Sequence, residues 1–335
     1  MSIQTRSFHF ANLVYFLIEL MVMNRKIFLS IITFFIFASI LMACSSGSEG
    51  TPTDEGKLNV VATTSIIGDV VRNIGGEDIH LTVLIPAGSD PHSFEPSPQQ
   101  IAALSDADIV FVNGFDLEQT LLPILESTVS KDKIVAVSEG VEPIAFAGEE
   151  GHAGEGEGEH RYDPHTWMDP NNVIIWTENI ERALSAADPA HADAYHARAE
   201  AYRQQLRELD AWIRAQIEPL LPLKIVTDHK VFGYFARRYG IEQVGAIIPA
   251  YSSMAQPSAQ ELAQLEDAIR NLGVDAVLVG NTVNPQLAKQ VAEDTGVRLI
   301  PIFTGSLSGP DGPAPTYIDF MRYDVNAIVQ AASSK

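Results

Sequence analysis

Cysteine is almost absent from this chain of 335 residues, which contains only Cys44. A single thiol cannot form an internal disulfide, so the folded part of the chain has to be stabilised by packing. Cys44 also lies in an informative place, because it follows Ala43 at the end of an almost wholly apolar run, Ile27 to Met42. An apolar run that ends at a small residue is typical of a secretory signal.

Basic residues are scarce as well. The chain has 22 lysines and arginines against 43 aspartates and glutamates, which gives a formal net charge of −21 at pH 7. Proteins that bind nucleic acid carry basic patches that neutralise phosphates, so this balance argues against a nucleic-acid partner. An acidic surface attracts cations only weakly, because salt screens exposed charges beyond about 8 Å.

Three common catalytic motifs are also missing. The chain has no His-Glu-x-x-His metalloprotease motif, no Gly-x-Ser-x-Gly nucleophile turn and no phosphate-binding P-loop. Each of these motifs places a reactive group on a defined turn or helix. Their absence disfavours the enzyme classes that depend on them.

What the chain does contain is a repeated Asp-Pro-His tripeptide. The copies are Asp90-Pro91-His92 and Asp163-Pro164-His165, and a third histidine, His229, follows Asp228 after a strand-like run. Each is expected in a loop after a β-strand, where ligand-binding side chains commonly lie. Proline stiffens its turn, and imidazole is the commonest side-chain ligand of zinc and related metals. The pattern predicts one metal site; the alternative is three ordinary turns with solvent-facing histidines.

The N-terminal region is predicted to be a targeting segment. A short basic segment precedes the apolar run, and Leu41-Met42-Ala43-Cys44 resembles a bacterial lipobox. We therefore expect residues 1–43 to be a signal peptide, with Met23 as the true start, and Cys44 to be lipidated after cleavage. The alternative is a transmembrane helix, since the run approaches the ~20 residues of a span. Residues 44–57 are small, polar and acidic and predict a flexible tether.

The rest of the chain alternates short β-branched runs with helical patterns. The predicted strands are Leu58–Thr63, His80–Ile85, Asp108–Asn113, Lys133–Val137, Leu223–Thr227, Gln243–Ile248, Val274–Val279 and Val297–Ile302. The predicted helices are Ile66–Ile74, Pro98–Leu104, Leu117–Val129, Asn171–Ala186, Val231–Tyr239, Ser258–Leu272, Pro285–Thr295 and Thr316–Ala332. This alternation predicts an α/β fold with parallel sheets covered on both faces. We expect two such lobes, residues 58–187 and residues 219–335.

One long helix is predicted between the lobes, over residues 188–218. Between Pro189 and Ile217 the chain has no glycine and no further proline and is rich in strong helix formers. Asp188 before Pro189 suits an N-cap followed by a first-turn proline. A rigid helix between the lobes predicts a modest closing motion. The partial apolar stripe expected on it comprises Ala194, Ala201, Leu206, Leu209 and Ile213.

Taken together, these motifs resemble the ABC-transporter solute-binding proteins that deliver zinc or manganese, over about residues 58–332. The most specific segment is 163–170, and the segments 90–98, 107–114, 229–240 and 317–323 are similar as well. The resemblance implies two α/β lobes bridged by one long helix, with His92, His165 and His229 as metal ligands. It also implies an extracytoplasmic lipoprotein, anchored to the cell membrane through Cys44, that delivers its metal to a membrane permease with its ATPase. We expect a monomer.

The fourth ligand departs from the family pattern. The resemblance implies an aspartate after the last strand, but the chain has Gly305 there, in Phe303-Thr304-Gly305-Ser306-Leu307. Asp311, in a nearby glycine- and proline-rich loop, is a candidate fourth ligand. Water could also complete the shell, and Asp311 could be an ordinary turn aspartate.

The residue types favour zinc over manganese. Three imidazoles suit zinc, whereas manganese prefers more oxygen ligands, and manganese-specific relatives tend to have a carboxylate in place of His229. The acidic loop 148–160 alternates glycine and glutamate and includes His152 and His160. It resembles the metal-capturing loop of zinc-specific members, or it is a solvated acidic linker. In either case its composition predicts disorder.

Two other functional classes are compatible with the same residues. Three histidines with an open position also describe a catalytic zinc site, in which Glu95 could act as the base. A cell-adhesion protein or a zinc chaperone on the same fold would use the same ligands for a different purpose. We expect capture and delivery of a metal ion and no catalysis.

Overall fold

The computed structural model describes residues 56–145 and 161–333. The predicted signal peptide, Cys44, nearly all of the tether and the acidic loop 148–160 lie outside these residues. Within the described ranges, no helix combines the length and the apolar character that crossing a membrane requires.

The first lobe contains a parallel sheet with the strand order β2-β1-β3-β4. Its strands are β1 Leu58–Ala62, β2 Ile79–Val83, β3 Ile109–Val112 and β4 Ile134–Ala136. Its helices are α1 Ser65–Gly75, α2 Pro98–Ser105, α3 Leu122–Thr128 and α4 Pro170–Ala187. The central strand β3 is buried along its whole length, as expected for a parallel sheet that is covered on both faces.

The second lobe repeats this arrangement, with the parallel strand order β6-β5-β7-β8. Its strands are β5 Lys224–His229, β6 Glu242–Ile248, β7 Ala276–Gly280 and β8 Leu299–Ile302. Its helices are α6 Gly233–Tyr239, α7 Ala259–Leu272, α8 Gln286–Thr295 and α9 Tyr317–Ser333. Ser258 and Glu261 form a capping box at the start of α7. In both lobes the first and third strands are neighbours, and ligands bind beside the carboxyl ends of such strands.

The helix between the lobes is α5, Ala192–Ile217, preceded by a short 3-10 turn, Pro189–His191. Its 26 residues span about 39 Å. Asp188 and Pro189 take the predicted N-cap and first-turn positions, but in this 3-10 turn, and the Asp188 carboxylate accepts hydrogen bonds from the His191 ring and the Tyr195 hydroxyl. The buried face includes Leu206, Leu209 and Ile213 of the predicted stripe, but Tyr195 and Tyr202 are buried in its first half where Ala194 and Ala201 were predicted. It comprises Tyr195, Ala199, Tyr202, Arg203, Leu206, Leu209, Ile213 and Ile217.

Helix α3 is shorter than the predicted Leu117–Val129 because the chain first makes an unusual turn. Gly114, Phe115 and Asp116 all have positive φ angles, from +52° to +93°. The buried carboxylate of Glu118 accepts hydrogen bonds from the Asn113 backbone N–H and the Thr63 hydroxyl, each at 2.7 Å. These bonds tie the segment to the ends of β1 and β3, so the helix begins only at Leu122.

One apolar cluster extends through both lobes and α5. It includes Phe111 of β3, Trp176 of α4, Leu206 of α5, Ile225 of β5 and Phe320 of α9, none of them exposed. Separating the lobes widely would expose part of this cluster, at about 25 cal/mol for each Å² of apolar surface. The shared core agrees with the predicted two-lobed fold and favours small relative motions.

Candidate metal centre

The three predicted histidines lie at the carboxyl ends of the two sheets. His92 is in the loop after β2, His165 directly precedes a 3-10 turn, Thr166–Met168, that leads into α4, and His229 is the last residue of β5. Their exposed fractions are 2%, 1% and 2%. The structure therefore brings together, in a buried position, three side chains that are far apart in the sequence.

The ring nitrogens converge on one point. The Nε2 atom of His165 lies 3.3 Å from Nε2 of His92 and 3.2 Å from Nε2 of His229, and one ligating atom from each ring lies within 4.8 Å of the others. A tetrahedral zinc ion about 2.0–2.1 Å from each nitrogen would separate neighbouring nitrogens by about 3.3–3.4 Å. Across residues 56–145 and 161–333, no other group of three histidine, cysteine or acidic side chains meets this distance criterion.

Two carboxylates set the orientation of two of the rings. Asp163 accepts a hydrogen bond from Nδ1 of His165 at 2.8 Å, and Asp228 accepts one from Nδ1 of His229 at 2.6 Å. An ionised carboxylate only accepts, so Nδ1 of each ring carries a proton and Nε2 is the atom directed at the neighbouring ring. Two Nε2 atoms 3.2 Å apart are held together by a proton or a metal ion between them, so the arrangement is suited to binding a metal ion.

The charge environment favours a cation at this point. Burial alone lowers the pKa of His229, but the charge and hydrogen bond of Asp228, with Asp90 and Asp163 nearby, raise it above the usual value. A site that stabilises a proton on His229 also stabilises a metal ion, and the two compete for the same nitrogens.

Two glycines leave room for these carboxylates. A Cβ atom at Gly233 would collide with the Asp163 carboxylate, and one at Gly280 would collide with the Thr304 hydroxyl and approach the Asp228 carboxylate. The Gly280 backbone N–H also donates to Asp228. Glycine is therefore required at both positions by close approach, a role that no motif in the sequence indicated.

Asp90 differs from the other two aspartates. Its Oδ1 accepts from the backbone N–H of His92 at 3.1 Å, and its Oδ2 accepts from Ser93 at 3.1 Å and from Ser253 at 2.6 Å. The first two bonds stabilise the turn that carries His92. Ser253 belongs to the second lobe, so Asp90 also joins the two lobes.

The loop that carries His165 is held by hydrogen bonds to three other segments of the chain. The Asn113 side chain donates to the Pro164 carbonyl at 2.8 Å, and Ser138 and Thr166 share a hydrogen bond of 2.8 Å. The Trp167 indole donates to the Thr304 carbonyl of the second lobe at 2.9 Å. Asn113, Thr166 and Trp167 lie in segments that resemble the family, but nothing in the sequence indicated their partners, because each contributes one polar group to a contact between distant segments.

The candidate fourth ligand and the candidate catalytic base do not join the three histidines. Asp311 is exposed and is not part of the convergent group. Gly305 faces Pro91 and Thr282, and a Cβ atom added there would lie 3.0 Å from Pro91. Glu95, the candidate base of the enzyme alternative, is exposed and precedes the Ser97 capping box of α2.

Comparisons with known proteins identify the family of this chain. The family model described as "ZnuA: Zinc-uptake complex component A periplasmic" matches residues 60–331. The manganese-binding lipoprotein MntA of Halalkalibacterium halodurans is 34% identical over 301 residues, covering 89% of this chain and 96% of the relative. The manganese ABC transporter substrate-binding lipoprotein PsaA of Streptococcus pneumoniae is 32% identical over 311 residues, covering 90% of this chain and 97% of the relative.

A solved structure is similar over the same region. The periplasmic zinc-binding protein TroA of Treponema pallidum superimposes with a TM-score of 0.75 at 26% identity, covering 83% of this chain and 99% of that chain. The similarity confirms the predicted fold, and the lipoprotein relatives confirm the predicted extracytoplasmic location. The chain belongs to the ZnuA family and is a metal-binding, substrate-binding protein of an ABC transporter.

Proposed function

We propose that this protein captures Zn²⁺ between its lobes with His92, His165 and His229 and delivers it to a membrane permease that works with an ATPase. The observation that carries the proposal is the convergence of three buried imidazole nitrogens, with the Nε2 atoms of His165 and His229 3.2 Å apart. The substrate here is a metal ion, which is bound and released without covalent chemistry. The protein therefore needs ligands and a release route but no catalytic base.

The choice of zinc rests on the residue at position 229. An imidazole there makes the set of protein ligands entirely nitrogen, which suits zinc better than the harder manganese ion. Asp163 and Asp228 support this choice, because a carboxylate on Nδ1 makes the opposite nitrogen a better ligand. The fourth position is open to water, or to Asp311 if its loop moves.

We further propose that the mature chain begins at a lipidated Cys44 and is held at the outer face of the membrane by this anchor. The names of the lipoprotein relatives support this placement. The acidic loop 148–160 adjoins the segment that carries His165 in sequence. Its proposed role is weak capture of metal ions before they reach the histidines.

Metal analysis followed by competition tests the proposal directly. Protein purified without an affinity tag is analysed for metals and then titrated with zinc against manganese. We expect one tightly bound equivalent of zinc and a preference for zinc of more than about 100-fold, following the ligand chemistry. A chain that retains neither ion would contradict the proposed function.

Manganese is the second candidate, since two of the relatives are named for manganese. In that case the competition would favour manganese or show little preference between the ions. Deletion of the associated permease distinguishes transport from adhesion or chaperoning: cells that lack it should lose high-affinity uptake of the preferred ion.

A further inference from the structure

The loop 249–257 after β6 reaches from the second lobe to the first, next to the histidines. Ser253 donates a hydrogen bond to Oδ2 of Asp90 at 2.6 Å, and the Tyr251 ring lies 6.4 Å from the His165 ring, centroid to centroid. One loop of the second lobe therefore contacts both of the histidine-bearing loops of the first lobe.

Asp90 transmits this contact to His92. Its other oxygen accepts the backbone N–H of His92, and Ser93 donates to the same oxygen that Ser253 uses. Asp90 is not one of the convergent groups, so it positions the turn and does not bind the ion. Ser253 acts on the His92 turn through Asp90, by fixing Asp90 relative to the second lobe.

A cavity of ≈ 500 Å³ lies on the other side of this contact. Asp90, Ser253 and Asp228 line it together with residues of α8 and of the loop before it. Asp90 and Asp228 are bonded to His92 and His229, so the cavity ends at the layer of groups directly behind these two histidines. The histidines themselves are 98% or more buried, which means that an ion leaves only after some contact in their surroundings opens.

We propose that the Asp90–Ser253 hydrogen bond is a latch between the lobes that sets the rate at which a bound ion leaves the three histidines. The inference rests on the proposed metal-binding function. While the bond is formed, the His92 turn is held against the second lobe and the ligands stay together. When the bond opens, the turn moves with the first lobe and His92 separates from His229 of the second lobe.

The test is a chase of zinc from the loaded full chain with an excess of chelator, followed by stopped flow. In Ser253→Ala we expect the dissociation rate to rise about tenfold, the effect of losing one charge-assisted hydrogen bond, while the association rate stays within about twofold. Ser253→Thr keeps a hydroxyl and should restore slow release. The matched control is Ser252→Ala, because the Ser252 hydroxyl accepts from Met254 within the same loop.

Two further measurements separate a latch from a change in structure or ligands. The visible spectrum of the cobalt-loaded protein should be the same in Ser253→Ala and the wild type, because the ligands are unchanged. The melting temperature of the metal-free protein should fall by no more than a few degrees, the effect of one hydrogen bond in a chain of this size. A Ser253→Ala dissociation rate within twofold of the wild-type rate, or an altered cobalt spectrum, overturns the latch. Such a result overturns only the latch if the wild type binds zinc tightly. A wild type that binds no metal overturns the proposed function as well.

Discussion

At the scale of single residues, the centre depends on neutral imidazoles that are oriented before an ion arrives. Hydrogen bonds from the Nδ1 atoms to Asp163 and Asp228 fix two rings with their Nε2 atoms facing inward. Freezing these side chains in advance reduces the entropy that metal binding would otherwise cost. Each ligand should therefore make a large separate contribution to affinity.

Removal of any one of the three histidines should strongly weaken zinc binding. We expect His92→Ala, His165→Ala and His229→Ala each to raise the dissociation constant by more than about 100-fold. This exceeds the effect of changing a residue that only hydrogen-bonds to a metal ligand. Competition against a calibrated chelator measures this. His196→Ala is the control, because the His196 side chain is 63% exposed, and an unchanged affinity in any of the three variants removes that residue from the site.

Asp311→Ala should have little effect on zinc affinity. Asp311 is exposed and lies outside the convergent group, so we expect less than a twofold change in the same titration. A loss of tenfold or more would show that the loop moves and that Asp311 is the fourth ligand.

Gly280→Ala should weaken zinc binding although Gly280 has no ligand atom. The added methyl group would collide with Thr304 and press on Asp228, which would displace the partner of His229. We expect a loss of about 10- to 100-fold in affinity, as for other changes behind metal-binding histidines. Gly309→Ala is the control, because a Cβ atom there meets nothing within 4 Å; equal affinities in the two variants would contradict the argument.

At the scale of elements, one ion-pair network joins α4, α5 and α6. The Arg238 guanidinium of α6 binds both carboxylate oxygens of Asp210 in α5, at 2.9 and 2.7 Å, and it lies 3.9 Å from Asp169, which caps α4. The Tyr239 hydroxyl also donates to Asp210. The network connects the helix that follows His165 to the bridging helix and to the helix that follows His229.

Arg238→Met should destabilise the fold by about 1–3 kcal/mol in the free energy of unfolding, because it leaves the Asp210 carboxylate without its guanidinium partner. The control is Arg270→Met, since Arg270 pairs only with Glu266 and Asp267 of its own helix among the ion pairs found in the described residues. Exposed pairs of this kind contribute about 0–1 kcal/mol. Denaturant titration measures the free energy of unfolding of both variants, and equal decreases in the two would contradict a special role for the network.

The stability difference should also depend on pH. Burial alone raises the pKa of Asp210, but hydrogen bonds from Arg238 and Tyr239 lower it below the usual value. A depressed pKa contributes stability above the pKa of the unfolded chain, about 3.9, and this contribution is lost as the pH falls through the folded-state pKa. The difference in the free energy of unfolding between the wild type and Arg238→Met should therefore decrease only in acid.

At the scale of the whole molecule, the two lobes enclose the candidate site and share one apolar core. The apolar cluster that extends through α5 limits how far they separate, so release has to depend on local contacts and on protons. A metal ion that binds imidazole nitrogens displaces protons from them.

Zinc affinity should therefore fall as the pH decreases through the histidine range. Although burial lowers the pKa of His229, the negative charge of Asp228 raises it overall, so competition by protons should begin above the usual imidazole value of about 6.5. Titrations from about pH 8 to about pH 5.5 measure this effect. A constant affinity over this range would indicate that the histidines do not titrate in the metal-free protein.

Much of the molecule follows from the sequence alone. The alternation of apolar strands and helices predicted both parallel sheets, and the run without glycine predicted α5, because periodicity and helix propensity are local properties of the chain. The capping box at Ser258 and the Asp-Pro-His turns are local as well. The Asp-Pro-His turns, together with the resemblance to the family, led to the prediction that His92, His165 and His229 converge.

Only the tertiary structure decided how the centre is built. The tyrosines on the buried face of α5, the room at Gly233 and Gly280, and the bond between Asp90 and Ser253 depend on contacts between segments that are distant in the sequence. Nothing in the local pattern marks such residues, because a glycine that makes room for a carboxylate has the same sequence signature as a glycine in a turn. The choice of ligand type is therefore encoded locally, whereas the positions of the ligands are set by packing between the lobes.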